Sequence, residues 1–140
     1  MLYISTWKEW DDLGSWFAGL IGDRDQLDDE LKEKVDAWTA DAKSDDEIAR
    51  TLFSKVANDV RYVGLEFGIS GLQPYPSNEV WQNGYGDCKD KSLLLKAMLD
   101  HKGIESHVAL VSTEQTGQVE KRCPSYFQFN HAILAIRQGK

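Results

Sequence analysis

The sequence predicts an α+β fold in which helices come first and an antiparallel sheet comes last. Three segments in the first 60 residues carry apolar side chains at helical spacing, and a fourth such segment begins near residue 87. Two runs with β-type alternation, SHVALVS and FNHAILAI, follow it. Because helices and strands do not alternate along the chain, an antiparallel sheet is favoured over a doubly wound parallel one.

Capping boxes are predicted at the start of the first and third helices. Thr6 is followed three residues later by Glu9, and Ser44 is followed in the same way by Glu47. The second helix is typical of a half-solvated helix, with acidic and basic side chains opposite an apolar stripe. The three predicted stripes are Trp10, Leu13, Phe17 and Leu20; Leu27, Leu31, Val35 and Trp38; and Ile48, Leu52, Phe53, Val56 and Val60.

The segment RYVGLEFGISGLQPYPSNEVWQNGYGD contains five glycines and two prolines. It is predicted to be a long loop with one short extended piece at Arg61–Val63, and loops of this length are usually functional. A helix is predicted from Asp87 to about Lys102, with Gly103 as its C-terminal cap. Its predicted buried side chains are Leu94, Leu95, Met98 and Leu99.

Composition and charge exclude several classes of protein. The chain has 140 residues, one common domain size, and a net charge of −7. The first 50 residues carry 14 acidic and 6 basic side chains, which we interpret as a solvated helical surface. No basic stripe predicts nucleic-acid binding, and no apolar run approaches the roughly 18 residues of a membrane span. Two cysteines do not make a disulfide framework.

The stretch NGYGDCKDKSLLLKAML places Cys88 between a glycine-rich turn and a helix. A helix N-terminus stabilises a thiolate, Lys89 and Lys91 add positive charge, and the free N–H groups can bind an oxyanion. Gly84 and Gly86 permit a tight turn. These features favour a nucleophile, while a packed thiol or a disulfide with Cys123 stays open. A zinc site would need more ligands than the chain supplies.

A thiol nucleophile needs a proton acceptor, and the chain has three histidines. His101 lies at the far end of the cysteine helix, about 20 Å away at 1.5 Å per residue. His107 begins the first β run. His131 lies in the second, on one face with Ile133 and Ala135, and it can meet Cys88 if that strand packs beside the helix start. A structural role for His131 remains open.

GYGDCKDKSLLLKAMLDHKGIESHVALVS followed by FNHAILAI resembles the core of the transglutaminase-like superfamily, and particularly its bacterial members. The resemblance covers residues 45–137. It implies a papain-like α+β core in which the cysteine helix packs on an antiparallel sheet that carries the histidine. It also implies acyl transfer from an amide through a thioester.

Carried over by position, the resemblance implies that Cys88 is the nucleophile and His131 the general base and later acid. Trp81 corresponds to an aromatic residue near the substrate channel or oxyanion, and Asp87 lies in the same region. Packing for Trp81 and N-capping for Asp87 are the alternatives. The family's aspartate has no counterpart among the nine residues after His131, so we expect a chain cut before it, and otherwise an incomplete site.

Two functions follow from this sequence. The first is a cysteine peptidase, amidase or transamidase acting on a peptide or protein, with no cofactor and no metal. The second is a non-catalytic interaction module with a degenerate site in a larger polypeptide. Residues 1–43 are predicted to be acidic helices, either accessory or part of the core, and residues 44–140 the transglutaminase-like core. The resemblance is compatible with an exported or periplasmic protein, although the N-terminus has no signal-peptide pattern.

Overall fold

The computed structural model describes residues 5–64, 68–113 and 117–137, and it confirms the α+β class. Over these residues the helices precede the antiparallel strands, as predicted. The helices are α1 Trp10–Ile21, α2 Asp29–Trp38, α3 Asp45–Asp59, α4 Ser77–Asn83 and α5 Cys88–His101. The strands are β1 Arg61–Tyr62, β2 Tyr85–Gly86, β3 Ser106–Val111 and β4 His131–Ile136, and 3₁₀ turns form at Gly68–Gly71 and Tyr126–Gln128.

Helix α5 is the centre of the molecule. The four side chains predicted to be buried are buried, but Leu93 and Ala97 are buried as well, so the helix is covered on more sides than one stripe requires. A helix surrounded in this way lies inside the protein rather than on its surface. α5 therefore contacts both the helical layer and the sheet.

The C-terminus of α5 is closed by the predicted glycine cap. Gly103 has φ +74°, and its N–H donates to the carbonyl of Asp100 at 2.9 Å. The next N–H, of Ile104, donates to the carbonyl of Leu99 at 2.9 Å, which completes a Schellman motif. Ile104 is buried, so the cap also directs the chain into the core and towards β3.

Strands β3 and β4 form the predicted antiparallel pair, with Val111 opposite His131 and Ser106 opposite Ile136. Ala132 is buried and Leu134 packs against the core, so this face lies on α5. His131 is the first residue of β4 and is half-buried. In the described residues each sheet has two strands.

The prediction of a long loop after α3 is wrong, because the described part of this segment contains a helix and two short strands. Pro76 precedes α4, and Gly84 ends it with φ +67°. β1 and β2 then pair in parallel, with Tyr62 opposite Gly86. The N–H of Val63 donates to the carbonyl of Gly86 at 3.0 Å. This pairing fixes the backbone on the N-terminal side of the cysteine turn.

The caps of the N-terminal helices differ in part from the prediction. Ser44 caps α3, and its Oγ accepts the N–H of Glu47 at 3.3 Å, as predicted. The other half of the predicted capping box differs, because the Glu47 carboxylate accepts the N–H of Lys43 at 2.7 Å and not that of Ser44. The Thr6 cap is wrong, because α1 begins after Glu9. There the carboxylate of Asp12 accepts the Glu9 N–H at 3.2 Å, so the capping interaction forms one turn later.

The hydrophobic core crosses the boundary predicted between residues 43 and 44. Leu31 and Val35 of α2 belong to the same buried cluster as Leu52 of α3 and Met98 of α5. Helix α2 thus shares one core with the cysteine helix. Among the helices of the described ranges, none combines the length and the apolar content that crossing a bilayer requires.

Candidate active site

Two aspartates hold the turn from which Cys88 starts α5. Asp87 is the N-cap, and one carboxylate oxygen accepts the N–H groups of Lys89 at 3.0 Å and Asp90 at 3.2 Å. Asp90 reaches back and accepts the N–H of Asp87 at 3.0 Å, while its other oxygen accepts the N–H of Tyr75 at 2.9 Å. Both carboxylates are 2% exposed. Reciprocal capping of this kind fixes the first turn of the helix.

Lys89 forms a buried ion pair with Asp87 beside the cysteine. Burial alone would lower the pKa of Lys89, but the hydrogen bond and charge of Asp87 outweigh it and the pKa is raised. Lys89 is thus a cation at neutral pH, next to Cys88. Lys91 donates to the carbonyl of Val60 at 2.5 Å, and burial lowers its pKa.

Cys88 and His131 line one cleft of about 270 Å³. Both residues are half-buried. β4 reaches the helix start because it packs along α5, where Ser92 Oγ donates to the carbonyl of Ala132 at 3.4 Å. Within the described residues the His131 imidazole makes no hydrogen bond to the thiol or to a carboxylate. The predicted nucleophile and base therefore share a cavity without a direct bond in this structure.

Gly86 is required by the close approach of β2 to α5. A Cβ at this position would lie 2.8 Å from the Cβ of Asp90 and 3.1 Å from a methyl of Val80. Real Cβ atoms do not tolerate the shorter distance, so any larger residue would move the carboxylate that holds the turn. The sequence analysis attributed this glycine to the turn, and the structure adds the contact that explains it.

Tyr62 is a neighbour of Cys88 that the sequence analysis missed. Although 59% of its surface is exposed, burial is the largest cause of its raised pKa. The charge of the Cys88 side chain and its hydrogen bond with the phenol raise the pKa of Tyr62 further. The backbone N–H of Cys88, which donates to the phenol oxygen, lowers that pKa. The predicted extended piece at Arg61–Val63 was the available signal, but its pairing with β2 could not be predicted from two residues.

Trp81 lies away from this cleft. Its ring packs against Trp38 with centroids 5.1 Å apart. It lines a different cavity, of about 230 Å³, together with Leu31 of α2. The ring of Trp81 thus packs between its own helix, α4, and α2, which favours a packing role for this residue. Asp87 caps the helix and pairs with Lys89, and it does not line the cleft.

The remaining thiol and histidines are also outside the cleft. Cys123 and Cys88 are both free, so the structure holds no disulfide between them. His101 contacts Asp36 at 3.1 Å, and His107 contacts Glu105 at 3.3 Å. In the described part of the chain no cluster of three or more His, Cys, Asp or Glu side chains is arranged to hold a metal ion.

Comparison with known proteins identifies a similar fold. No protein-family model and no curated protein matches this sequence. A crystal structure of a protein from Parabacteroides distasonis, described as a "putative protease", is similar with a TM-score of 0.69 over 86% of this chain. The two sequences are 18% identical, and the chain spans 23% of that protein's length. The likeness shows a shared fold.

Proposed function

We propose that this chain carries a transglutaminase-like cysteine site that cleaves peptide or protein amides through a thioester. One observation carries the proposal: Cys88, at the N-terminus of the buried helix α5, lines the same cleft as His131. Hydrolysis is favoured over transfer to another amine because the similar structure is that of a protein described as a protease.

In this mechanism the Cys88 sulfur attacks the carbonyl carbon of the substrate amide. The helix N-terminus and the Lys89 ammonium stabilise the thiolate, and His131 takes the thiol proton. A C–S bond forms, the C–N bond breaks, and His131 returns the proton to the leaving amine. Water, activated by His131, then hydrolyses the thioester and regenerates the thiol. An amine in place of water would give transamidation.

The proposed oxyanion donors are the hydroxyl of Tyr62 and the backbone N–H of Cys88, which would exchange the Tyr62 oxygen for that of the substrate. The next two N–H groups of α5, those of Lys89 and Asp90, already donate to Asp87. Tyr62 interacts with both the backbone and the side chain of Cys88. Each oxyanion donor typically contributes about 10²–10³ in rate. Trp81, whose ring packs against Trp38, is not part of this proposed oxyanion site.

A non-catalytic interaction module is the second candidate. The observation that favours it is the imidazole of His131, which no carboxylate orients within the described residues. An unoriented imidazole loses much of its efficiency as a base, because its tautomer and direction are not fixed. In this alternative Cys88 is an ordinary half-buried thiol.

Competitive alkylation distinguishes the two candidates. With iodoacetamide at pH 6, we expect Cys88 to react at least about tenfold faster than Cys123, because thiolate character controls the rate. His131→Ala should abolish the preference. His107→Ala is the matched control, since His107 lies on β3 outside the cleft and should leave the preference intact. Equal, slow labelling of both thiols would support the interaction module.

The thioester itself is tested by mass spectrometry after mixing with an activated peptide ester or anilide. The acyl group should be found on Cys88 and be absent in Cys88→Ala. Tyr62→Phe should slow acylation about 10²-fold, a larger effect than the one on the rate of alkylation by iodoacetamide. Added methylamine then separates hydrolysis from transfer by the ratio of acid to amide product.

A further inference from the structure

One wall of the Cys88–His131 cleft is aromatic and aliphatic. Tyr126 and Phe129 line it, and Leu110 and Ala132 extend the apolar surface. The charged groups on the described lining are Lys89, which is paired with Asp87, and the ionisable His131. The cleft lining thus combines the reactive groups with an apolar set of side chains, beside Gly71 and Asn130.

Helix α1 packs against this wall from outside the cleft. The rings of Trp16 and Phe17 lie 5.6 Å and 6.3 Å from the ring of Tyr126. The ring of Trp10 meets that of Phe129 edge-on at 5.9 Å. Aromatic pairs at such separations are worth about 0.5–1.5 kcal/mol each beyond their burial. The two lining rings are therefore held in place by a helix that does not itself line the cleft.

The backbone behind the two rings is fixed by side-chain hydrogen bonds. Trp10 Nε1 donates to the carbonyl of Lys121 at 2.8 Å. Gln128 accepts the N–H of Glu120 at 2.6 Å and donates to the carbonyl of Cys123 at 2.6 Å. Gln128 is buried, these two bonds of its side chain are partly buried, and the bond of Trp10 is exposed. The wall is a preformed surface, as specificity subsites are.

The size of the cleft limits what the wall can hold. Small-molecule sites in proteins typically enclose about 300–1,000 Å³, and this cleft has about 270 Å³. It accommodates the reacting amide and one large side chain. An acidic side chain would be placed against aromatic rings, with no unpaired lysine or arginine on the described lining to compensate it.

We propose that Tyr126 and Phe129 form the subsite for the side chain next to the reactive carbonyl, and that this subsite selects a bulky apolar residue over a small or acidic one. Trp16 of α1 is a positioning residue for the subsite. The proposal rests on the proposed function, because it assigns the substrate class of the same cleft.

Peptidyl chloromethyl ketones test the selectivity. The Cys88 sulfur displaces chloride from the methylene carbon, a C–S bond forms as the C–Cl bond breaks, and the thiol proton passes to solvent. We expect the phenylalanine reagent to inactivate the protein at least about tenfold faster than the glycine and aspartate reagents do. For comparison between variants, each inactivation rate is divided by the rate of the same variant with iodoacetamide. Phe129→Ser should bring the ratio of the phenylalanine rate to the glycine rate close to one. Trp16→Ala should lower it without changing the iodoacetamide rate.

Phe53→Ser is the control, because Phe53 lies on α3, is 60% exposed and does not line the cleft. Its selectivity should equal that of the unsubstituted chain. A second measurement avoids any reaction by using the Cys88→Ser protein. NMR titration gives its dissociation constants for N-acetyl-phenylalanine amide and for the α-amide of N-acetyl-aspartic acid, whose side-chain carboxylate is free. Tighter binding of the first is expected, and equal constants would overturn the subsite. Slow iodoacetamide labelling of Cys88 would instead contradict the proposed function.

Discussion

Asp87 combines two tasks that make Cys88 the first residue of a helix. As the N-cap it satisfies two backbone N–H groups, an interaction worth about 0.5–2 kcal/mol. It also neutralises Lys89 in a site where both side chains are buried. Removing one partner of such a pair leaves an uncompensated buried charge, which typically costs about 3–5 kcal/mol. The backbone of the cysteine is positioned by this network.

Asp90 gives the network a pH dependence. Burial is the largest cause of its raised pKa, and it outweighs the stabilising N–H groups of Asp87 and Tyr75. A raised pKa means that the folded protein keeps a proton that the unfolded chain has released. The stabilising contribution is therefore fully present below the ordinary value of 3.8 and is lost as the pH rises through the raised pKa.

We expect the free energy of unfolding, relative to that of Asp90→Asn, to fall as the pH rises above 3.8 and then to become constant. Urea titrations of both proteins at a series of pH values measure this difference. The carboxyl carbon shift of Asp90 in an NMR titration gives the pKa directly. A relative stability that increases with pH over this range would contradict the prediction.

Some of this residue-level arrangement could be predicted and some could not. The sequence GDCKD indicated a helix start at Cys88 because an aspartate before a helix is a common cap. The alternation in FNHAILAI placed His131 in a strand. Tyr62 was missed because its approach to Cys88 depends on a two-residue parallel pairing. The packing partner of Trp81, Trp38, could not be predicted because it is distant in sequence.

At the scale of elements, the decisive junction is the one between β2 and α5. Gly86 ends β2, lies opposite Tyr62 and has no room for a side chain. We expect Gly86→Ala to destabilise the protein by about 1–3 kcal/mol, the typical cost of overpacking. Because the new methyl group would displace the Asp90 carboxylate, alkylation of Cys88 should slow as well. Urea denaturation and the iodoacetamide rate measure the two effects.

Gly64→Ala is the control for this substitution. Gly64 lies just after β1 and does not have a positive φ. A Cβ atom at this position would have no other atom within 4 Å. Both the stability and the alkylation rate should stay close to those of the original chain. If Gly86→Ala behaves in the same way as Gly64→Ala, the junction does not constrain the cysteine turn.

Element lengths explain what the sequence analysis missed between α3 and α5. α4 has seven residues between Pro76 and Gly84, too few for a clear apolar stripe. β1 and β2 have two residues each, so they show no alternation at all. Such short elements are stabilised by contacts with neighbouring elements, and these contacts cannot be predicted from the local sequence. The longer elements α5 and β4 had enough residues to show their periodicity.

At the scale of the whole molecule, the shared core argues that the N-terminal helices and the cysteine helix fold as one unit. Leu31 of α2 is 2% exposed and belongs to the same cluster as Met98 of α5. α1 is joined to the rest through aromatic contacts with Tyr126 and Phe129. A core that includes residues from both predicted segments cannot be lost from one of them alone.

We therefore expect a single unfolding transition. Leu31→Ala should lower the free energy of unfolding by about 2–5 kcal/mol. Residue-resolved NMR during a urea titration should show equal midpoints for amides of α2 and β4, both shifted together by the substitution. Glu33→Ala, at an exposed position of the same helix, should change stability by less than about 0.5 kcal/mol. A midpoint that moves in α2 alone would favour an accessory N-terminal unit.

The burial of α5 has a consequence for how the two sides of the cleft can respond to a substrate. Amides in the middle of α5, around Leu94 and Met98, can exchange with deuterium only when the whole protein opens, because neither residue has exposed surface. The wall around Tyr126 has a single short 3₁₀ turn and is held largely by side-chain bonds. The nucleophile thus starts the element that we expect to open most slowly, so a local opening of the wall around Tyr126 would leave Cys88 in position.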